Sequence, residues 1–156
     1  MKEKDTTGLM TFLTEEVLKH GSDTLPAATA KRLAEIRRDK PSVPVIYVSS
    51  GSASIIAGSE QSAAAAELYL SDMGINGLIV RTTCHGPAVF EPMICIHLPG
   101  KNKLIFRNIT ADKMEATLNG VFHNDMPEEY LVAQSGSTGF EAWHDIPFIE
   151  DIPFYR

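Results

Sequence analysis

Apolar positions along this chain form two helical stripes, then several short β-branched runs, then a stretch without period. Over residues 7–20, Leu9, Phe12, Leu13, Val17 and Leu18 recur at helical spacing, and Gly21 follows as a stop. Over 28–39, Ala28, Leu33 and Ile36 make a thinner stripe that runs into Arg37-Arg38-Asp39-Lys40. Basic residues at a helix C-terminus suit the helix dipole. Pro41 and Pro44 then break the pattern. These two helices predict an N-terminal helical extension over 1–41.

Residues 43–48 are short, apolar and β-branched, which predicts a central strand. A polar Ser49–Ser54 loop follows. Residues 58–73 predict a helix, with alanines at 63–66, then Leu68, Tyr69 and Met73, and Gly74 as its stop. Gly77-Leu78-Ile79-Val80 is a second strand. A helix joining two strands makes them parallel, with a right-handed crossover. Met93–Leu98 and Lys103–Arg107 are two further strands around a Pro99–Asn102 turn, hence an antiparallel hairpin. Thr110 can cap a last core helix over 111–119, with Met114 and Leu118 inward and Asn119-Gly120 as its end.

The order is β-α-β-β-β-α: an α/β, thioredoxin-like arrangement with a four-stranded mixed sheet over 42–122. Residues 123–156 read as an extended tail or linker toward a partner or a following domain. Its aromatics, Phe140, Trp143, Phe148, Phe154 and Tyr155, stand among acidic residues and suit a contact surface. Trp143 and Phe140 read as packing anchors. The Asp151–Arg156 stretch reads as a chain that continues.

The length of 156 residues allows one domain with a core and some extension. A net charge of −6 argues against nucleic acid, which needs a basic patch. No apolar run reaches the length needed to span a membrane, and the first residues lack a signal-peptide core, so the cytoplasm is expected. Two cysteines without a CxxC pair exclude a disulfide scaffold.

The candidate chemistry lies in two loops at the carboxyl ends of the parallel strands, the usual ligand edge of an open α/β sheet. The first is Ser49-Ser50-Gly51-Ser52-Ala53-Ser54; the second is Cys84-His85-Gly86-Pro87-Ala88. Two such loops are the layout of an iron–sulfur site, which takes four soft ligands. The spaced positions hold Ser49, Ser54, Cys84 and Ala88. Alanine has no donor, and a serine oxygen is a hard ligand. Cys84 is also a weak candidate for a reactive thiol, while Cys95, among apolar strand residues, reads as core. The serines around Gly51 offer a phosphate nest, but without the lysine of a phosphate loop. His85 and His97 have no third partner at ligand spacing, and His123 and His144 lie far apart. No metal site is expected from them. Glu15-Glu16 and Glu128-Glu129 read as solvated faces. Pro92, before the third strand, is a candidate cis-proline.

In order and spacing, residues 42–156 resemble the thioredoxin-like [2Fe-2S] ferredoxin domain. The likeness is to its version at the N-terminus of NADH-binding flavoprotein subunits of the 51-kDa type, in complex I-like dehydrogenases and NAD-linked hydrogenases. That family carries C-x4-C after its first strand and C-x-G-x-C, with a proline four residues on, after its second. Here Ser49-x4-Ser54 encloses Gly51-Ser52, Gly58 stands where a helix-start glycine is usual, and Cys84-His85-Gly86-Pro87-Ala88 leads to Pro92. Leu98-Pro99-Gly100 and Asn108-Ile109-Thr110 resemble the family's hairpin turn and helix cap. The resemblance implies vestigial cluster positions at Ser49, Ser54, Cys84 and Ala88. It implies a non-catalytic, cluster-free domain with a structural or docking role in an NAD(P)H-oxidising flavoprotein complex. The alternatives are a thiol redox domain using Cys84 and an electron carrier with unusual ligands. FMN, NAD(H) and iron–sulfur clusters then belong to a parent protein, and the partners are its flavoprotein or iron–sulfur subunits, or a following domain.

Overall fold

The computed structural model describes residues 6–20, 25–38, 40–83, 86–136 and 138–153. Gly21, Asp39, Cys84, His85, Phe154, Tyr155 and Arg156, each given a place by the sequence pattern, lie outside the described residues. The chain forms two compact units, Met1–Lys40 and Pro41–Arg156. Among the described residues no helix is long and apolar enough to cross a membrane.

In the first unit, α1 (Thr6–Thr11) passes into a π-helical turn over Phe12–Val17, where Leu18 N donates to Leu13 O at 3.0 Å. The second helix is α2 (Ala27–Arg37). Phe12 is buried, and the guanidinium carbon of Arg32 lies 4.2 Å from its ring centroid. The cation over the ring face joins the two helical stripes that the sequence pattern predicts.

The second unit is built on β1 (Val45–Ser49), β2 (Leu78–Thr82), β3 (Ile94–His97), β4 (Lys103–Phe106) and β5 (Leu131–Ser135). The strand order is β2-β1-β3-β4-β5, with β1 parallel to β2 and every other pair antiparallel. The first four strands and their connections follow the expected mixed arrangement. The fifth strand was not expected: part of the segment read as a tail pairs with β4, through a register shift at Ile105/Phe106.

Strand alternation sorts the sheet into two faces. Ile46, Val48, Ile94, Ile96, Leu104 and Phe106 pack with residues of α4 (Ser59–Asp72) and α5 (Ala111–His123). The small side chains of Ala63 and Ala66 are fully buried there. Tyr69 ties the two helices by donating to Asn119 Oδ1 at 2.8 Å. The opposite face carries Met93, Cys95 and Ile105, with Tyr47, Phe90, Val132 and Ile149 against them.

Two local expectations change. The first polar loop is shorter than the sequence suggests, because Ser52–Ile56 forms a helical turn, α3. Gly58, at φ 97°, then lets the chain turn from α3 into α4. The last helix does not stop at Asn119-Gly120. It runs to His123 and is closed by Asn124 in the left-handed region.

Thr110 occupies the N-cap of α5 without a hydroxyl bond to its N–H groups. It instead supplies a hydrogen bond that holds the exposed Asp112 carboxyl below its ordinary range. The tail returns over β4 and β5: Glu141 bridges Lys101, and Phe148 bridges Gln134.

Candidate functional site

The ends of β1 and β2 are joined, and the end of β1 lies against the turn that enters β3. Ser50 donates from both N and Oγ to Thr82 O, each at 2.8 Å, joining the ends of the two parallel strands. Ser49 N donates to Met93 O at 3.1 Å, extending the β1–β3 pairing one residue beyond its ladder. A 3-10 turn over Ala88–Phe90 leads to Glu91, the Glu91–Pro92 bond is cis, and Met93 directly precedes β3. Behind this turn, Asn108 N donates to Phe90 O at 2.8 Å and Ile109 N to Pro92 O at 3.0 Å.

The four positions singled out by sequence have different fates. Ser49 is 0% exposed, and its hydroxyl donates to the Glu91 carboxylate. Ser54 sits in α3, also 0% exposed, with an Oγ that has no hydrogen-bond partner among the described residues. Ala88 begins the 3-10 turn on the surface. Cys84 lies outside the described residues.

Glu91 was not singled out by sequence. It is only 7% exposed, and one carboxylate oxygen accepts from both Ser49 Oγ and Met93 N, the latter at 2.9 Å. Met93 N shares its hydrogen with Ser49 Oγ at 3.0 Å. The available signal was one acidic residue directly before Pro92, inside the otherwise apolar Ala88–Ile94 run.

These residues do not fit a two-iron cluster. Of the three positions described, one hydroxyl is committed to a carboxylate, one is sealed in the interior, and one side chain has no donor atom. Among the described residues no group of three His, Cys, Asp or Glu side chains is placed to hold a metal ion. Cys95 is free and buried, and burial pushes its thiol up to about 12, with Lys103 opposing and the Glu91 charge adding to the rise. A thiol so far above neutral pH is a core side chain, as the sequence indicated.

His97 ends β3 with its ring 4.9 Å from that of Phe140, tilted at 53°. Burial, helped by the Lys103 charge, lowers its pKa below the ordinary 6.5, against an opposing contribution from the Lys101 backbone. The folded state therefore favours neutral His97, while the unfolded chain takes up a proton as pH falls past its ordinary value. That stability is present above the ordinary pKa and is lost as pH falls below it. We expect unfolding free energy to drop between about pH 7 and 5, and His97→Gln to flatten part of that slope. Denaturant titrations of both chains across pH check this; an unchanged slope would remove His97 as its source.

Two clefts are lined in part by Trp143. One, of about 510 Å³, is lined by Asp125, Glu128, Leu131, His144 and Ile146 among others. The other, of about 590 Å³, is lined by Pro44, Leu98, Pro99, Val121 and Phe122 with Lys101.

Strand order and connectivity define an α/β domain of thioredoxin-like topology, with a buried Ser49–Glu91 pair at the end of β1. No family model matches the chain, and no curated protein matches it. Among solved structures it is similar to the thioredoxin-like [2Fe-2S] ferredoxin from Aquifex aeolicus, at 11% identity and a TM-score of 0.49, over 65% of this chain and 100% of that one. The wild-type ferredoxin at 1.5 Å gives 10% identity and 0.49, over 60% and 99% of the two chains. A cysteine-to-serine variant gives 13% and 0.47, over 58% and 98%. At these values the fold class rests on the strand order and connectivity described above.

Proposed function

We propose that this is a cluster-free, ferredoxin-like domain kept for its shape, which docks in an NAD(P)H-oxidising flavoprotein electron-transfer complex and performs no chemistry of its own. The observation that carries the reading is the state of Ser49. A residue at a ligand position of the resembled family is turned inward and bonded to a buried carboxylate. A site rebuilt in this way keeps the loops in place without a metal.

The sheet end at which β1 stops also supports a docking role. β1 ends there and β3, its antiparallel neighbour, begins there, so α3 and the 3-10 turn share that end. Ile55, Ile56 and Val89 stand exposed on those two turns, at 51%, 87% and 75%. Large apolar side chains gathered at one end suit a protein contact. In this reading FMN, NAD(H) and iron–sulfur clusters belong to the partner subunits or to a following domain.

Anaerobic affinity purification of the full chain from its native host tests the reading, with FMN and iron quantified in the eluate. We expect flavin and iron to co-elute in fixed ratio to the chain, and Ile56→Glu with Val89→Glu to abolish both. A chain that elutes alone, without flavin, would contradict the docking role.

A further inference from the structure

We infer that Ser49 and Glu91 form a buried clasp at a position where the resemblance places a metal ligand: it ties the end of β1 to the turn entering β3 and keeps an anionic cluster from forming at Ser49. This deepens the cluster-free reading and rests on it.

The geometry gives the clasp its mechanical role. The β1–β3 ladder ends at Val48 and Ile94. Beyond it, Ser49 N still reaches Met93 O, and Met93 N is taken by two side-chain oxygens, Ser49 Oγ at 3.0 Å and Glu91 Oε2 at 2.9 Å. The hydroxyl in turn donates to that same carboxylate oxygen. Hydrogen bonds to an ionised acceptor are stronger than neutral ones, and burial strengthens them further. Here a hydroxyl and a carboxylate tie the end of β1 to the turn that enters β3 without a metal.

Electrostatics gives the clasp its exclusion role. Strand alternation sends the Ser49 side chain to the face that carries Tyr47, Met93 and Cys95. To meet a metal, it must give up the carboxylate and leave a buried charge short of a donor, which is strongly unfavourable. A two-iron cluster on four thiolates carries net negative charge, and a carboxylate beside it in a poorly screened site repels it. Glu91 Oε2 contacts the Ser49 hydroxyl itself, so the carboxylate stands directly beside any ligand at that position. Restoring cysteines alone therefore does not restore a cluster site.

The test compares three chains in anaerobic reconstitution with ferrous iron and sulfide, read as bound iron, bound sulfide and visible absorption. They are the native chain, a Ser49→Cys/Ser54→Cys/Ala88→Cys variant that provides four cysteines with Cys84, and that variant with Glu91→Gln added. We expect no iron on the native chain, little on the triple variant, and several-fold more once Glu91 is neutralised. Equal loading of the two variants, whether full or nil, overturns the exclusion and leaves the cluster-free reading standing. Two irons and two sulfides on the native chain overturn the reading itself.

Thermal unfolding tests the clasp independently of iron. We expect Ser49→Ala and Glu91→Ala each to lower the midpoint by about 10 °C. The double variant should fall no further than the worse single. Losses that add would show that the two side chains act separately and would overturn the clasp.

Discussion

Replacing Trp143 with alanine is expected to lower stability by about 3–5 kcal/mol, the largest loss from any single side chain of the returning tail. Trp143 is the only tryptophan, is 8% exposed, and joins the main core from a segment without secondary structure of its own. Its indole N–H donates to Asn102 O at 2.7 Å, and its backbone N donates to Gln134 Oε1 at 2.9 Å. Gln134, 1% exposed, donates through its amide nitrogen to Trp143 O at 2.9 Å and to Ile146 O at 2.7 Å. Asn102 Nδ2 completes the network by donating to Gln134 Oε1 at 3.0 Å. Trp143 also lines two clefts, of about 510 and about 590 Å³.

Urea unfolding followed by circular dichroism reads the loss without relying on the fluorophore removed. Trp143→Phe keeps a smaller aromatic ring and loses the N–H, so it should cost less, with roughly 1 kcal/mol of its loss from the hydrogen bond. A loss below about 1 kcal/mol for Trp143→Ala would contradict the anchoring role, since buried aromatic truncations cost several times that.

Gly120→Ala is the second large effect, and its sign runs against helix propensity. Alanine in a helix interior is favoured over glycine by about 1 kcal/mol. At this position the chain folds back over the helix: Asn124 takes φ 59°, and Asp125 N donates to Gly120 O at 2.7 Å. A Cβ on residue 120 would lie 2.4 Å from Asp125 O and 2.9 Å from Pro127 Cδ. The nearest obstacle is backbone, which cannot rotate aside. Overpacking of this kind costs about 1–3 kcal/mol or more and outweighs the propensity gain.

We expect Gly120→Ala to destabilise by about 2 kcal/mol and Gly120→Val by more. Asn124→Gly, which keeps the left-handed turn, should change stability little. Thermal unfolding of the three variants checks the set. An alanine variant more stable than the native chain would mean that the Asp125–Pro127 turn does not cover Gly120.

That same glycine explains what sequence could and could not disclose. Asn119-Gly120 has the composition of a helix end, yet the helix continues, because the glycine serves a close approach from five residues downstream. Local composition does not carry that contact. The core strands were legible because their patterns are strong: all four residues of Ile94–His97 are buried, as a central strand requires. The fifth strand was not. Leu131-Val132-Ala133-Gln134-Ser135 is small and polar at its end, and its place depends on a shifted register with β4 and on the Gln134 network from Trp143. The Ser52–Ile56 turn overlaps the polar Ser49–Ser54 loop and is not legible because Ser-Ala-Ser-Ile-Ile has no helical apolar stripe. Ile55 and Ile56 are in fact exposed.

The site was half legible. Spacing marks Ser49 and Ser54, and the structure buries both fully, Ser49 at the end of β1 and Ser54 in α3. Glu91 escaped notice because an acidic residue beside a proline ordinarily signals a solvated turn. Its role depends on a partner 42 residues earlier in the chain.

The most direct measurement is the iron and acid-labile sulfide content, with the visible spectrum, of the full chain purified anaerobically. We expect a colourless protein with neither iron nor sulfide above background. Two irons and two sulfides per chain, with charge-transfer absorption in the visible, would contradict the cluster-free reading.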